Sequence, residues 1–331
     1  MKPLLTSFLL LLTTGYAIAQ PIQTAAVPAT AAAPAAPATP ATPAAPAAPA
    51  VQRSQPLNLI VIATNGNRTL TVGELTDELI KFDIVCVGEL HDSELHHQVQ
   101  LQIIKELYAR DESLGMGMEM FQRPFQNVVD SYFAGQISQQ EFLKQTEYQT
   151  RWGFDWALYK PIVEFAQRNG VRLAALNAPV ELTHRIMQVG YAGLTAAQKQ
   201  QLGPVDFAVK AHHDYWFDLI PMMHGTQKIS LEQQERTYEV MAVWDDYMAQ
   251  SAAAFLKDRH VNRMVILAGS GHIDGGFGIP DRAAKYASAS RATIKIVLGA
   301  PNSTAIDDLG QPTDYVIYVL PPAAAPAPTA K

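Results

Sequence analysis

The chain has 331 residues, a formal net charge of −6 and one cysteine. Lysine and arginine do not occur in runs, which argues against a nucleic-acid partner. A single cysteine excludes a disulfide within the chain. Cys86 lies in the apolar run at 84–87, a setting typical of a small core residue rather than a reactive thiol.

Residues 1–19 have the three parts of a cleavable signal peptide. Lys2 precedes an apolar run at 8–12, and the small-residue sequence Ala-Ile-Ala follows at 17–19. The apolar run is shorter than the ~20 residues needed to cross a bilayer, and no later segment is long enough for a transmembrane segment. No cysteine stands directly after the signal to carry a lipid. We therefore expect a periplasmic or secreted protein that is soluble after cleavage and is not a lipoprotein.

Residues 20–56 are almost entirely alanine, proline and threonine. Such a segment has little to bury and cannot offset the entropy of folding, and its prolines favour extended conformations. We therefore predict a disordered linker at 20–56 and a disordered tail at 321–331, where the same composition returns. The remaining residues, 57–320, are enough for one large domain with a substantial core.

Within this domain, β-rich segments alternate with amphipathic ones. Strands are predicted at 57–64, 68–72, 83–87, 115–120, 171–176, 264–268, 293–298 and 315–320. Helices are predicted at 72–80, 93–110, 124–133, 156–169, 179–189 and 230–257. The Asn-Gly-Asn sequence at 65–67 predicts a hairpin between the first two strands. The alternation predicts an α/β fold, in which a mostly parallel central sheet is flanked by helices on both faces, with a helical excursion at 191–257.

Glycine-framed histidines follow two of the apolar strands, at 88–91 and 269–272. In α/β sheets, ligands bind at the carboxyl ends of the strands. If these strands are neighbours, His91 and His272 converge with Glu119, which ends the strand between them. Two imidazoles and a carboxylate suit a divalent metal such as zinc or manganese, or form a polar floor for another ligand. The alternative is structural, because a histidine after a strand often caps the next helix or bonds a loop carbonyl.

Several sequence blocks carry a family resemblance. They are VGELHD at 87–92 with the histidine pair at 96–97, GMEM at 117–120, WG at 152–153 with WALYKP at 156–161, NAP at 177–179 and AGSGH at 268–272. In order and spacing they resemble the ChaN-like haem-binding uptake family, which is similar in turn to the Tiki/TraB group and to erythromycin esterases. The chain lacks the lipid-bearing cysteine typical of that family, and the segment at 191–229 does not match it cleanly.

The resemblance implies an exported haem-binding protein that acts in haem or iron uptake or storage at the cell envelope. It also implies a homodimer that holds two stacked haems, with each iron bound by a tyrosine and the propionates held by histidine and lysine of the partner chain. Tyr159 is the first choice for the iron ligand, with Lys160 beside it, and His96 and His97 are candidates for the propionates. Alternatively, Tyr159 packs in the core beside Trp156, and the two histidines belong to a solvated helix face.

A second hypothesis is a metal-dependent hydrolase of the Tiki/TraB type. The candidates for its three metal ligands are His91, Glu119 and His272. The candidate for its general base is Glu89, and the candidate for the cation that stabilises an oxyanion is Arg236. Arg236 has a simpler role available, as a helix arginine paired with Glu232 or Glu239. The H-E-x-x-H motif of zincins is absent from the sequence. A third hypothesis is a binding module for another small ligand.

Overall fold

The computed structural model describes residues 57–225, 227–257, 261–301 and 312–321. The predicted signal peptide at 1–19, the linker at 20–56 and all but the first residue of the tail at 321–331 lie outside these ranges. Within them the chain forms one eight-stranded sheet and the helices that pack on it. None of the described helices has the length and apolar character of a membrane span.

The elements follow one another in the predicted alternation. The strands are β1 Asn58–Ala63, β2 Arg68–Leu70, β3 Ile84–Glu89, β4 Leu114–Gln122, β5 Arg172–Asn177, β6 Arg263–Gly269, β7 Arg291–Leu298 and β8 Tyr315–Leu320. The helices are α1 Val72–Leu79, α2 Glu94–Tyr108, α3 Gln126–Phe133, α4 Gln139–Gln145, α5 Tyr148–Arg151, α6 Trp156–Arg168, α7 Val180–Val189, α8 Ala196–Leu202, α9 Lys210–Met223, α10 Leu231–Lys257, α11 Ser270–Ile273 and α12 Ile279–Ala287. A 3₁₀ turn, Arg123–Phe125, links β4 to α3.

The strand order is β2-β1-β8-β7-β3-β6-β4-β5. All pairs from β8 to β5 are parallel, and β1 pairs antiparallel with both β8 and β2. The prediction of an α/β fold with a mostly parallel sheet is therefore confirmed. The predicted hairpin also forms, with Gly66 and Asn67 at positive φ in its turn, a backbone conformation that glycine and asparagine tolerate best.

Successive residues of β3 point to opposite faces of the sheet, and each face is covered by helices. Val85 and Val87 pack in the core with α2 and α6, whereas Ile84 and Cys86 pack in a second core with α10. Burial on both faces explains why this strand is a continuous apolar run. The predicted helical excursion at 191–257 is confirmed as α8, α9 and α10, and α10 contributes more residues to the second core than any other element.

Local sequence sets the first residues of helices α2 and α10. Ser93 is the N-cap of α2, where its hydroxyl accepts from the backbone of His96. Ser230 and Gln233 form the predicted capping box before α10, with mutual backbone-to-side-chain bonds of 2.9 and 3.1 Å. These caps fix where each helix begins, and so fix which side chains of its first turns face the sheet.

Gly117 in β4 marks a point of tight packing within the second core. A Cβ atom there would lie 2.4 Å from Met264 Cε and 2.9 Å from Leu176 Cδ1. We predict that Gly117→Ala lowers the free energy of unfolding by about 1–3 kcal/mol, the usual cost of overpacking a core. Urea unfolding followed by far-UV circular dichroism measures the change.

The matched control is Gly73→Ala in α1, where a new Cβ has no neighbour closer than 3.9 Å. We expect no loss of stability from this control, since alanine favours a helix over glycine. Equal midpoints for the two variants would contradict the tight packing described at Gly117.

Candidate functional site

The carboxyl ends of β3 and β6 lie side by side and carry the two glycine-framed histidines. Glu89, the last residue of β3, pairs in register with Gly269, the last residue of β6. His91 follows β3 in a turn, and His272 follows β6 in the short helix α11. Gly88 permits the close approach of α11, because a Cβ there would lie 3.0 Å from Ser270 Oγ.

Glu119 lies within β4 rather than at its end, since the strand continues to Gln122. The register of β4 against β5 shifts between Met118 and Gln122. Such an irregularity re-aims side chains. The Glu119 carboxylate accepts the backbone N–H of Gly269 at 2.7 Å, and its other oxygen lies 3.6 Å from His272 Nε2. Glu119 is thus placed against the end of β6.

Glu89 is the centre of a first buried cluster. One carboxylate oxygen lies 2.8 Å from His91 Nδ1 and accepts the Tyr159 hydroxyl at 3.1 Å, while the other lies 2.7 Å from His97 Nε2. Burial alone would raise the pKa of Glu89, but its contacts with His91 and His97 outweigh burial and lower the pKa to about 2. Glu89 is therefore a carboxylate at neutral pH.

Asp245 of α10 is the centre of a second buried cluster. Its two carboxylate oxygens lie 2.6 Å from His272 Nδ1 and 2.7 Å from His212 Nε2. Burial would raise the pKa of Asp245, but the charge of His272 and the hydrogen bonds of both histidines outweigh it and lower the pKa to about 2. Asp245 therefore stays ionised between its two histidines.

The two clusters meet at Glu119. Burial alone would lower the pKa of His272, but the charges of Asp245 and Glu119 outweigh it and raise the pKa to about 9. Burial also disfavours the protonated form of His91. The hydrogen bond with Glu89 and the charge of Glu119 outweigh burial, so the pKa of His91 is raised. The structure thus brings the three hypothesised metal ligands into one electrostatic neighbourhood.

This neighbourhood does not have the form of a metal centre. Within residues 57–225, 227–257, 261–301 and 312–321, no group of three or more His, Cys, Asp or Glu side chains is arranged to hold a metal ion. His91 and His272 instead use one ring nitrogen each to contact Glu89 and Asp245. The geometry gives no support to zinc or manganese, nor to the metal-dependent hydrolase hypothesis that relies on it.

The candidates for the hydrolase's other roles are engaged elsewhere. Both oxygens of the Glu89 carboxylate contact histidines, which leaves it poorly placed to act as a general base on a water. Arg236 donates to the carbonyls of Met187 and Gln188 at 3.1 and 2.8 Å and pairs with Glu232. The simpler role of Arg236, a helix arginine paired with Glu232, agrees with these contacts.

Three of the four candidates for haem contacts lie inside the protein. The Tyr159 side chain is fully buried, and its hydroxyl donates to Glu89 and to the carbonyl of His91, both at 3.1 Å. His96 and His97 are also buried. Lys160 is half-exposed and lies 3.6 Å from Glu164. Iron ligation by Tyr159 stays a prediction, and it requires the hydroxyl to leave Glu89.

His96 is held in the neutral form. Its Nδ1 accepts the backbone N–H of Leu90 at 3.0 Å, and burial lowers its pKa to about 4. A neutral, buried imidazole is a poor partner for a propionate, which a cation at the surface would hold better. The placement of His96 therefore favours a structural role, in which it holds the turn after β3.

A small pocket opens beside Glu119 at the carboxyl ends of β4 and β5. It is lined by Glu119, Gln122, Arg151, Trp152, Asn177, Ala178, Val180, Thr183 and Trp244. Arg151 is neutralised there by Glu147 and Glu181, at 2.9 and 2.7 Å. Its cavity volume is about 20 Å³, which is room for about one water. A haem does not fit in this pocket.

Asp245 is the centre of the second cluster, and the sequence patterns did not single it out. It lies in the apolar seam of α10, four residues after Met241 and next to Trp244, so the helical period already places it on the buried face. A charged residue on the buried face of a helix needs a buried partner. The sequence pattern alone did not identify that partner as two histidines from α9 and α11.

The family of the chain follows from comparison with known proteins. The sequence model of the family described as "Haem-binding uptake, Tiki superfamily, ChaN" matches residues 75–283, most of the domain. The chain belongs to this family. The family resemblance of the sequence blocks is therefore confirmed.

Two solved structures and one further relative are similar to this chain. A solved structure of cofacial haem binding to ChaN of Campylobacter jejuni has a TM-score of 0.63 and 21% identity, over 79% of this chain and 98% of that one. A mutant of erythromycin esterase EreC in its open conformation has a TM-score of 0.41 and 13% identity over 75% of this chain and 78% of that one. RETICULATA-RELATED 5, a chloroplastic protein of Arabidopsis thaliana, is 24% identical over 135 residues. That match covers 39% of this chain and 18% of the relative's length.

The Glu89 cluster generates a prediction about stability. Glu89→Gln removes the charge while His91 and His97 stay buried, so we expect the free energy of unfolding at pH 7 to fall by about 3–5 kcal/mol, the usual cost of breaking a buried ion pair. Because the pKa of Glu89 is lowered from 4.5 to about 2, its contribution is complete above pH 4.5 and is lost as the pH falls towards 2. The variant should therefore lose less stability than the wild type over that range. Urea unfolding between pH 6 and pH 3 measures both effects.

Glu106→Gln is the matched control for this substitution. Glu106 of α2 pairs with Arg110, which lies just after the end of that helix, at 3.0 Å, and surface pairs of this kind are worth less than about 1 kcal/mol. If Glu89→Gln were as mild as the control, or if it kept the acid sensitivity of the wild type, the account of Glu89 as a buried carboxylate would be wrong.

Proposed function

We propose that this protein binds haem, and that it serves in haem or iron uptake or storage at the cell envelope. The match of residues 75–283 to the haem-binding uptake family carries the proposal. The fold likeness to ChaN of Campylobacter jejuni, whose structure contains cofacially bound haem, supports it further. The signal-peptide pattern at 1–19 supports a site of action outside the cytoplasm.

We further propose that haem binds at the surface, between two copies of the chain. The pocket at the carboxyl edge has room for about one water, and the histidines and the tyrosine beside it contact buried carboxylates. A haem on an exposed surface keeps one apolar face in water, and a second copy of the chain that covers that face would remove this cost. Homodimer formation is therefore expected to depend on the ligand.

Titration of the mature chain with hemin tests the proposal. We expect a saturable change in the Soret band, and a shift from monomer to dimer in sedimentation velocity when hemin is added. Both follow if haem lies between two copies. A linear, unsaturable absorbance change, as given by hemin in buffer, would contradict haem binding. Saturable binding by a protein that stays monomeric would contradict only the shared site.

Export generates a separate prediction. When the full chain is expressed with its own N-terminus, we expect the mature protein to begin at Gln20 and to be released from the periplasm or the medium without detergent. Intact-mass spectrometry of the released protein locates the cleavage point. Recovery of an unprocessed chain from the cytoplasm, or of the mature protein only from the membrane fraction, would overturn this prediction.

A further inference from the structure

A second cavity lies between α10, α12 and the segment that leads into α9. Its volume is about 220 Å³, whereas the pocket beside Glu119 has about 20 Å³. Val209, Phe277 and Tyr286 provide apolar walls, and Arg282 is among its charged lining residues. We call this cavity the Arg282 cleft. Small-molecule sites are concave and combine apolar walls with a few polar groups that orient the ligand, as this cleft does.

The three carboxylates that line the cleft already have hydrogen-bond donors. Asp246 accepts the backbone N–H of Asp206 at 2.7 Å and the Tyr286 hydroxyl at 2.8 Å. Asp206 in turn accepts the backbone N–H two residues further on at 3.0 Å, and Asp281 accepts Arg291 Nε at 2.8 Å. These acids therefore tie the surrounding segments together and do not need a cationic ligand.

Arg282 still has donors to offer a ligand. Its side chain is 5% exposed and pairs with Asp246. Nη1 also donates to the Asp206 carbonyl at 3.1 Å, and Nε donates to the Phe277 carbonyl at 3.3 Å. Nη2 carries two N–H groups and is buried, yet it has no hydrogen-bond partner among the described residues. A buried, charged donor without an acceptor is costly, so the cleft lacks an acceptor at this point.

The chemistry of the cleft indicates what the missing acceptor is. A carboxylate matches a guanidinium nitrogen best, because the hydrogen bond between them is charge-assisted. The three carboxylates of the lining would repel a multiply charged anion such as phosphate, so a ligand with one negative charge fits better. The apolar walls suit a compact hydrocarbon body. Together these features specify a small molecule with one carboxylate and an apolar body.

We propose that the Arg282 cleft binds a small monocarboxylate with an apolar body, and that the carboxylate accepts hydrogen bonds from Arg282 Nη2. The apolar body lies against the apolar walls of the cleft. The inference goes beyond the proposed haem binding and is independent of it. The cleft is a separate place in the fold, because its lining residues include neither Glu89 nor Asp245 nor the side chains bonded to them.

Titration of the mature full chain with benzoate in an isothermal titration calorimeter tests the inference. Benzoate carries one carboxylate on a compact apolar ring, and benzamide is its neutral match in size and shape. We expect saturable binding of benzoate. Benzamide should bind at least about tenfold more weakly, because a hydrogen bond to an ionised acceptor is roughly twice as strong as a neutral one.

A steric variant locates the binding. Val209→Trp narrows the cleft without removing any of the hydrogen-bond partners of Arg282. It should weaken benzoate binding by at least about tenfold, since overpacking a filled site is costly. Leu298→Trp is the matched control, because Leu298 is 48% exposed at the end of β7 and lies outside the lining of the cleft. This control should bind benzoate as the wild type does.

A charge variant tests the role of Arg282. Arg282→Gln alone leaves the buried Asp246 without its cation and is expected to destabilise the fold. The double variant Asp246→Asn/Arg282→Gln removes both charges together. We expect the double variant to fold, as circular dichroism verifies, and to bind benzoate no better than benzamide.

Three results would overturn the inference. The first is the absence of saturable benzoate binding by the wild type. The second is equal benzoate affinity of Val209→Trp and Leu298→Trp, which would place the binding outside the cleft. The third is a preference for benzoate over benzamide that survives in the double variant, which would mean that another group holds the carboxylate. None of these results bears on hemin binding, which is measured separately.

Discussion

At the carboxyl end of β3, the charge of a fully buried carboxylate, Glu89, has to be balanced by donors from three segments of the chain. A buried carboxylate without partners is strongly destabilised, because the protein interior solvates charge poorly. His91 from the turn after β3, His97 from α2 and Tyr159 from α6 provide the balancing contacts. These contacts tie α2 and α6 to the carboxyl end of β3. They also explain why these histidines and this tyrosine are inside the protein.

The second carboxylate, Asp245, repeats the arrangement on the other face of the sheet with His212 and His272. Glu119 lies between the two groups, and its charge helps to raise the pKa of both His91 and His272. A cluster in which acids and bases balance one another in this way stabilises the fold, but it offers few open positions to a metal.

Comparison of the sequence with the structure shows where prediction works. The strand at 83–87 is one continuous apolar run, and a strand of this kind is buried on both faces of a parallel sheet. Caps such as Ser93 and the Ser230–Gln233 pair form as expected, since they depend on neighbours in sequence. The short helices α4 and α5 escaped prediction, because their few residues have no clear period.

Burial of the polar residues was harder to predict. The alternative that His96 and His97 lie on a solvated helix face is wrong, since both are buried, whereas their role as propionate partners stays a prediction. Glu119 was expected at the end of its strand, but β4 continues to Gln122 across a shift in register. Each of these outcomes depends on a contact with a distant segment, which a periodicity calculated over a short window does not contain.

The sequence by itself determined the alternation of strands and helices, and through it the α/β class and the family. Hydrophobic period, caps and turn residues act over a few neighbouring positions, so one chain is enough to reveal them. Only the tertiary structure decided which acid balances which base. Glu89 and Tyr159 are 70 residues apart in sequence, and His272 and Asp245 are 27 residues apart. Whether a polar side chain is buried against a partner or exposed depends on such contacts between distant segments. The reason is that the cost of burying a charge is set by the groups that surround it in space.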